Sequence, residues 1–529
     1  MATEMTKNQE KAILSSGKNV LVSASAGSGK TFVMIERIIR LILEENVDVS
    51  NILAVTFTKL AASEMKQKLV KAVISRISDG KDVERMRKTL AELPTADIST
   101  IHSFCLNLLK TYFYSANVDP DFSIIESAKA RELSTLAINE TFNELYEQGD
   151  ENFLATVRFL RKNRGDNQFK KEILELYDKS VSESDPDAFL NSCKNSVSEK
   201  NYTLYEDFIL NVFKKQISAH EDTYNQLKLD VAPYSHEKVG GIILAALEDA
   251  WAKAKYCLNA KTLSDFALAL TIQTSSLSGT KTNDEVVAQI KKEVSDFKSG
   301  LADLYKKIIK SIPKDRDLDL KRYLETKQMT CTIVDIAKLY GKKFSALKEK
   351  EGALDFSDLE HKALALLKNN PDVLAAVREK YQYIFADEYQ DVNGAQEELL
   401  SLISNNNLFM VGDVKQSIYA FRGCNPDIFA SKYDSYLKDE SLGEAIPLDK
   451  NFRSSDKVLD AVNNVFSSVI TKEHGGVAYA ENKMESGGLF EKGYGEATLH
   501  VITKEKADKQ PIEGLYNLVK DATSIYNFL

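Results

Sequence analysis

Cysteine is scarce in this chain of 529 residues, and its few copies are scattered. They are odd in number and form no Cys-x-x-Cys pair: Cys105, Cys193, Cys257, Cys331 and Cys424. Paired spacings are typical of zinc and iron–sulfur sites, and disulfide frameworks are typical of secreted proteins. The sequence therefore argues against such metal sites and predicts reduced thiols in a cytosolic protein.

Long hydrophobic runs are also missing. No apolar run is long enough to span a bilayer, and residues 1–7 contain no apolar signal core. With 43% hydrophobic and 28% charged residues, the composition is that of a soluble globular protein, and the length suggests three or four domains. We therefore expect a cytoplasmic protein with no membrane partner.

An excess of positive charge is the third absence, since the formal net charge is −9. The global charge therefore gives no sign of a nucleic-acid partner. This weighs only weakly against one, because a local basic track is enough to bind phosphates.

The most informative stretch that is present is Ser23-Ala24-Ser25-Ala26-Gly27-Ser28-Gly29-Lys30-Thr31. It follows an apolar run at 19–22 and precedes an amphipathic helical pattern at 32–39. This order of strand, small-residue loop and helix fits the phosphate-binding loop, with Ala24 where the pattern usually has its first glycine. The alternative is a small-residue turn that holds no ligand.

A loop of this kind can surround a triphosphate with backbone amides and the positive end of the following helix. Lys30 would then reach the β- and γ-phosphates of ATP. Thr31 would offer its hydroxyl to Mg²⁺.

Strand and helix patterns alternate around this loop. Strands are predicted at 51–56 and 97–100, and the same texture returns at 383–387 and 408–413. Such alternation predicts an α/β fold with a parallel, doubly wound sheet. Between the two stretches, residues 112–352 have apolar positions at helical spacing and no convincing strand alternation.

The chain is therefore expected to contain one sheet domain interrupted by a large, mostly helical insertion. The predicted boundaries are 1–111 and 353–450 for the sheet domain and 112–352 for the insertion. After residue 451 we predict one long helix, a strand at 497–502 and a closing helix at 513–526, which is too little for a complete α/β domain.

A second half of a nucleotide site is expected after the later strands. Asp387 and Glu388 directly follow an apolar strand, where Asp387 would contact the metal and Glu388 would act as general base on the attacking water. Gln416 is a candidate sensor of the γ-phosphate, and Arg453 is a candidate second cation for it. The alternatives are a solvated acidic pair for the carboxylates and ordinary surface positions for Gln416 and Arg453.

These motifs together resemble superfamily 1 helicases of the UvrD/Rep type. The residues that carry the resemblance, in chain order, are Gln9, 24–31, 56–58, 100–104, 355–359, 387–391, 411–423 and 451–454. Within that group the chain is most similar to the N-terminal half of AddA-type subunits of bacterial helicase–nucleases. These subunits process double-strand breaks together with an AddB partner.

The resemblance implies two RecA-like domains, with residues 451–529 forming an incomplete start of the second. It also implies roles for further residues. Gln9 would read the adenine edge, Phe452 would stack on the base, and Arg37 would approach the nucleotide. The phosphate loop residues would be Ala24, Ser25, Ala26, Gly27, Ser28, Gly29, Lys30 and Thr31.

The resemblance further implies a track for single-stranded DNA. Its residues would be Phe57, Thr58, His102, Tyr419, Phe421 and Arg422. Aromatic rings suit such a track because every base has a π-face, so stacking holds the strand without reading its sequence. The alternative for Phe57, Phe104 and Phe421 is core packing, which we favour for Phe104 alone.

The family's later motifs and a nuclease domain are not found in this sequence, so we expect a fragment, a frameshifted product or one piece of a split subunit. The resemblance implies an ATP-dependent helicase that moves 3′ to 5′ from duplex ends, and the isolated chain is expected to bind nucleotide better than it hydrolyses it. Two alternatives stay open. One is a non-catalytic, nucleotide-dependent DNA-binding or scaffold protein, and the other is an unrelated P-loop ATPase or kinase.

Overall fold

The structure is a computed structural model. It describes residues 5–472 except 81, 161–165 and 278–280, together with 478–488 and residues 490, 493 and 498. The helix predicted at 513–526 lies outside the described residues, and so does the strand predicted at 497–502 apart from residue 498.

The strands are given first, in chain order. They are β1 (Val20–Ala24), β2 (Ile52–Thr56), β3 (Ile98–Thr100), β4 (Ser123–Ile124), β5 (Ala353–Leu354), β6 (Tyr383–Ala386), β7 (Leu408–Gly412), β8 (Glu444–Leu448), β9 (Lys450–Asn451) and β10 (Glu485–Ser486).

The helices are likewise numbered along the chain. They are α1 (Lys7–Leu14), α2 (Lys30–Glu44), α3 (Lys59–Ser78), α4 (Val83–Glu92), α5 (Ile101–Thr111), α6 (Phe113–Ala116), α7 (Ser127–Gln148), α8 (Glu151–Leu160), α9 (Asn167–Val181), α10 (Pro186–Lys194), α11 (Glu199–Ser218), α12 (Glu221–Val231), α13 (Lys238–Asn259), α14 (Leu263–Leu270), α15 (Glu285–Ile309), α16 (Arg316–Glu325), α17 (Lys327–Lys350), α18 (Phe356–Asn369), α19 (Pro371–Lys380), α20 (Gly394–Ile403), α21 (Pro426–Lys438) and α22 (Asp456–Val469).

The described residues divide into two compact units. The first, which we call the sheet unit, comprises the described residues of Met1–Phe104, Ala375–Val392 and Ile403–Leu529. The second, which we call the helical unit, comprises those of Cys105–Leu374 and Asn393–Leu402.

The sheet unit contains a six-stranded sheet with the strand order β3-β2-β6-β7-β1-β8. Every neighbouring pair in it is parallel. Strands β2 and β7 are buried along their whole length, as parallel strands are when helices cover both faces of a sheet. The predicted α/β fold with a parallel sheet and a helical insertion is thus confirmed.

Parallel strands place their carboxyl ends at one edge of the sheet, and this determines where a site can form. Here β1 leads into the small-residue loop, β6 leads into Asp387, and β7 leads into Asp413. Because β7 lies between β6 and β1, these three strand ends are neighbours.

The helical unit has its own hydrophobic cores. The ring of Trp251, on α13, is 1% exposed and stacks on Tyr224 of α12 with 4.9 Å between ring centroids. A second core lies around α17, where Tyr340 stacks on Phe344. Its one departure from the predicted helical texture is β4, which pairs with β5 where the chain enters and leaves the unit.

The described helices were also compared with the requirements of a membrane span. None of them is both long enough and apolar enough to cross a bilayer.

Candidate functional site

The small-residue loop joins β1 to α2 in the geometry of a phosphate cradle. Gly29 precedes α2 in the left-handed region, with φ of 90°, and no side chain caps the helix. The first turn of α2 therefore keeps backbone N–H groups for a ligand. The hydroxyl of Ser28 is also buried without a hydrogen-bond partner among the described residues. Both features fit an anionic ligand.

Gln9 fixes the loop from the side of α1. Thr6 and Gln9 form a reciprocal capping box, in which the Thr6 amide donates to Gln9 Oε1 at 3.0 Å. The other end of the same side-chain amide, Nε2, donates to the Ser28 carbonyl at 3.1 Å. The start of α1 is therefore tied directly to the loop through a side chain that is only 5% exposed.

The stretch Asn451-Phe452-Arg453 fixes the loop from the opposite direction. The Phe452 amide donates to the Gly27 carbonyl at 2.8 Å, and Asn451 Nδ2 donates to the Ala26 carbonyl. The Asn451 side chain also accepts from the Arg453 amide at 2.8 Å. These bonds place Phe452 and Arg453 beside the phosphate loop.

Lys30 begins α2 and faces the ends of β6 and β7. Its Nζ donates to Glu388 Oε2 at 2.9 Å and to Gln416 Oε1 at 3.4 Å. The structure thus brings together three residues that the sequence predicted for one nucleotide site, although they lie hundreds of positions apart.

A closed ring of hydrogen bonds runs through these three residues and two more. Gln390 Nε2 donates to the same Glu388 oxygen at 2.9 Å, and Gln390 Oε1 accepts from the Asp413 amide at 2.9 Å. Asp413 Oδ2 accepts from Gln416 Nε2 at 2.7 Å, which returns the ring to Lys30. We call these five residues the Lys30 ring: Lys30, Glu388, Gln390, Asp413 and Gln416.

Asp387 follows β6 directly and is electrostatically strained. Burial, and after it the charge of Glu388, raise the pKa of Asp387 to about 6. Lys30 acts in the opposite direction, as does the Glu388 amide, which donates to Asp387 Oδ1 at 3.0 Å. A carboxylate with a raised pKa next to a cation and a phosphate cradle is typical of functional sites.

Thr31 and Arg37 lie farther along α2. Thr31 is half-buried in the first turn. Arg37 is buried, and its Nη1 donates to the Ala12 and Ile13 carbonyls at 2.8 and 3.1 Å, while the guanidinium lies 4.7 Å from the centre of the Phe409 ring. The contacts of Arg37 therefore anchor the C-terminal end of α1, and none of them joins it to the Lys30 ring.

An aromatic cluster follows the Lys30 ring along the chain. Phe57, after β2, stacks on Tyr419 with 4.6 Å between ring centroids, and Phe421 lies 6.1 Å from Tyr419. The Arg422 guanidinium lies 5.4 Å from the Tyr419 ring and 5.6 Å from the Phe421 ring. Because Phe421 is 79% exposed, the cluster presents a stacking surface with a cation beside it.

The remaining residues predicted for a DNA track lie at helix starts. Thr58 caps α3 by accepting from the Ala61 amide at 3.0 Å, and its side chain is exposed. His102 is half-buried in the first turn of α5. Phe104 is 5% exposed and packs edge-on against Tyr381, as expected for a core residue.

Comparison with known proteins decides the family. Residues 5–437 match the family model described as the UvrD/REP helicase N-terminal domain. The chain belongs to the UvrD/Rep helicase family.

Curated relatives agree with this UvrD/Rep assignment. Proteins named as A-type subunits of an ATP-dependent helicase/nuclease, from Thermoanaerobacter sp. (strain X514) and from Syntrophomonas wolfei, are each 34% identical to it, over 96% and 92% of this chain. The protein of that name from Bacillus licheniformis is 34% identical over 90% of it. The chain spans 44%, 39% and 40% of the length of these three relatives.

Two members of the Lys30 ring were not predicted as site residues of this UvrD/Rep chain. Gln390 and Asp413 stand in the motifs that carried the resemblance, but no role was assigned to them. The bond that joins them uses a backbone N–H, which has no signature in side-chain spacing. The available signal was the position of both residues directly after strands of the sheet.

Proposed function

We propose that this chain is the ATP-binding and DNA-gripping module of an ATP-dependent DNA helicase of the AddA type. The observation that carries the proposal is the convergence of Lys30, Glu388 and Gln416 beside an uncapped helix start and a glycine-rich loop. The same arrangement argues for a catalytic site over a non-catalytic scaffold, because a binding module has no need of a general base beside the phosphates.

The roles of the residues follow from their chemistry. Backbone amides of the loop and Lys30 would hold the phosphates, while Thr31 and Asp387 would hold Mg²⁺, which prefers oxygen ligands and phosphate. The ion would neutralise charge that develops on the phosphates. Glu388 is placed to accept a proton from the attacking water, and Gln416 is placed to sense the γ-phosphate.

Lys30 must exchange partners for this to happen. Its present bonds to Glu388 and Gln416 use the ammonium group that the phosphates require. Phosphate binding would therefore draw Lys30 out of the ring and release Glu388 to act as a base. Gln9, Phe452 and Arg453, which already contact the loop, would complete the nucleotide site.

The aromatic cluster is the proposed grip on single-stranded DNA. Phe57, Tyr419 and Phe421 would stack on bases, and Arg422 would add a positive charge. Stacking of this kind is worth about 1–3 kcal/mol per base and tolerates any sequence. His102 and Thr58 are proposed to border the same track.

For the whole protein, the proposal extends to duplex DNA ends, 3′-to-5′ movement and an AddB-type partner subunit. Residues 1–111 and 353–450 would form the first RecA-like domain, residues 112–352 its insertion and residues 451–529 the beginning of a second domain. For the chain itself the proposal is nucleotide and DNA binding, with turnover weaker than binding.

The test is a titration with a fluorescent ATP analogue, with and without Mg²⁺, alongside hydrolysis in the presence of oligo(dT). We expect Lys30→Ala to weaken nucleotide binding roughly tenfold or more, since it removes a charge-assisted phosphate contact. Glu388→Gln should keep binding and lower any hydrolysis about 10²- to 10⁴-fold. Lys194→Ala, which removes an ion-paired lysine of the helical unit, is the matched control.

Unchanged nucleotide binding in Lys30→Ala would remove the basis of the proposal. For the DNA track, Phe421→Ala should weaken oligo(dT) binding measured by fluorescence anisotropy. Phe208→Ala, at a ring that is 63% exposed on α11, is the control. Equal losses in both variants would refute the aromatic track.

A further inference from the structure

Gln390 uses its side-chain amide at both ends, although it is only 1% exposed. Its Nε2 donates to Glu388 Oε2 at 2.9 Å and to Asp391 Oδ2 at 3.3 Å, while its Oε1 accepts from the Asp413 amide at 2.9 Å. It is thus the link between the residue that follows Asp387 and the residue that follows β7.

The local backbone explains how Gln390 reaches Glu388. Glu388 lies in the left-handed region, with φ of 50° and ψ of 45°, and a single 3-10 turn, Tyr389–Asp391, follows it. The Asp391 amide closes this turn on the Glu388 carbonyl at 2.9 Å. A residue other than glycine in this conformation is strained and persists only where its surroundings hold it. Gln390 is one of the groups that hold it.

Gly412, at the end of β7, leaves the space that Gln390 occupies. A Cβ atom at this position would overlap Gln390 Oε1 and would lie 2.9 Å from Cε2 of Phe429. The sheet is therefore open at this point only because residue 412 has no side chain. The approach of Gln390 to the Asp413 amide is built into two separate elements, the turn after β6 and the end of β7.

We propose that Gln390 is a positioning residue that sets the Glu388 carboxylate for proton abstraction and couples it to Gln416 through Asp413. The inference rests on the proposed function. Glu388 Oε2 accepts from both Lys30 and Gln390. When Lys30 turns to the phosphates, Gln390 remains as the donor that keeps the carboxylate in place.

The coupling follows from the other side of the ring. Asp413 accepts from Gln416 through Oδ2 and donates its amide to Gln390. A shift of Gln416 toward a γ-phosphate therefore acts on Asp413 and, through Gln390, on Glu388. The general base and the phosphate sensor are joined by hydrogen bonds that do not involve the nucleotide.

The experiment uses the full chain and compares two substitutions. Gln390→Leu removes both bonds, whereas Gln390→Glu keeps an acceptor for the Asp413 amide but cannot donate to Glu388. We expect both variants to bind the ATP analogue within about threefold of the unsubstituted chain and to lose about tenfold in single-turnover hydrolysis, since a misplaced group costs rate before affinity. A loss of less than threefold in both variants overturns the proposal.

A matched control separates positioning from stability. Gln396 is also buried and donates from Nε2 to a glutamate, Glu360 Oε1, at 2.7 Å in the helical unit. Gln396→Leu should lower the unfolding free energy in the same manner as Gln390→Leu and leave single-turnover hydrolysis unchanged. Equal loss of hydrolysis in the two leucine variants would mean that Gln390 has only a structural role.

A double substitution tests whether Gln390 acts through Glu388. If it does, Gln390→Leu combined with Glu388→Gln hydrolyses ATP no more slowly than Glu388→Gln alone, because coupled residues are not additive. Independent, multiplying losses in the double variant contradict the proposed route.

A measurement without nucleotide keeps this inference distinct from the proposed function. In the chain labelled with ¹⁵N-glutamine, the side-chain signal of Gln390 is identified by its loss in Gln390→Leu. Glu388→Ala should shift that signal, because it removes the acceptor. If the chain fails to hydrolyse ATP, the proposed function loses its catalytic part, and a Gln390 signal that does not shift then overturns the positioning role as well.

Discussion

At the scale of single residues, Asp387 gives a prediction for stability against pH. Its pKa rises from 3.8 to about 6 on folding, so the folded chain binds this proton more tightly than the unfolded chain. The resulting stabilisation is complete below the unfolded pKa and is lost as the pH rises through about 6. At about pH 8 the buried charge therefore lowers the free energy of unfolding.

We expect Asp387→Asn to be more stable than the unsubstituted chain at about pH 8, by roughly 1–3 kcal/mol, with the difference disappearing near pH 4. Urea unfolding of the chain without nucleotide or Mg²⁺ measures this, since asparagine keeps the Oδ1 that accepts from the Glu388 amide. A variant less stable than the parent at the higher pH would contradict the assigned pKa shift.

Gly27 gives a second prediction at the same scale. Its φ is +73°, and a Cβ there would lie 2.6 Å from Cβ of Arg453. Gly17 has nearly the same φ, +74°, but open space around it. Both Gly→Ala changes should cost roughly 1 kcal/mol from backbone strain. Only Gly27→Ala should also weaken binding of the ATP analogue, because it pushes Arg453 away from the loop.

The two alanine variants are to be compared by thermal unfolding and by titration with the analogue. Loss of affinity in Gly17→Ala, or full affinity in Gly27→Ala, would show that the contact with Arg453 does not shape the phosphate site.

At the scale of elements, the capping box of α1 connects a helix end to the nucleotide site. Thr6→Ala removes the cap and should cost about 1 kcal/mol of stability. Because Gln9 belongs to this box and also holds the Ser28 carbonyl, binding of the ATP analogue should weaken several-fold as well. Isothermal titration measures the affinity.

Thr262→Ala is the control for the α1 prediction. Thr262 and Asp265 form an equivalent capping box at α14 in the helical unit. The stability loss should be similar in the two variants, while nucleotide affinity should change only in Thr6→Ala. If affinity falls equally in both, the effect of Thr6 is general destabilisation.

Most of the sheet could be predicted from the sequence, because β1, β2, β3, β6 and β7 are short apolar runs next to turn signals. Strand β8 was missed. It contains Pro447, which cannot donate to a ladder and so argues against a strand, but an edge strand tolerates it.

The candidate site divides in a similar way between what sequence reasoning predicts and what it misses. Lys30, Glu388 and Gln416 belong to motifs whose chemistry is legible in their residue types. Gln390 and Asp413 depend on a backbone N–H and on the missing side chain of Gly412, and a pattern of side chains does not encode either. Arg37 shows the reverse, since its motif position gives no hint that its guanidinium anchors α1.

At the scale of the whole molecule, the single tryptophan divides the spectroscopy of the chain. Trp251 lies in a core of the helical unit, whereas the nucleotide site lies in the sheet unit. Each unit has its own buried core, so we expect two unfolding transitions. A saturating ATP analogue should raise the urea midpoint seen by circular dichroism and leave the midpoint of Trp251 fluorescence unchanged.

The matching control is Trp251→Phe, which should abolish the fluorescence signal without altering nucleotide affinity. A nucleotide-induced shift of the Trp251 midpoint would mean that the two units unfold as one cooperative block.

The two margins of the sheet also bear on how the protein behaves at high concentration. At one margin, β3 is only three residues long. At the other, the exposed Pro447 of β8 has no N–H to offer, and its carbonyl is already taken by Nδ2 of Asn8 at 2.8 Å. Short or proline-bearing margins are poor templates for strand addition from a neighbouring chain. The proline that hides β8 from sequence analysis therefore also protects the sheet against edge-to-edge aggregation.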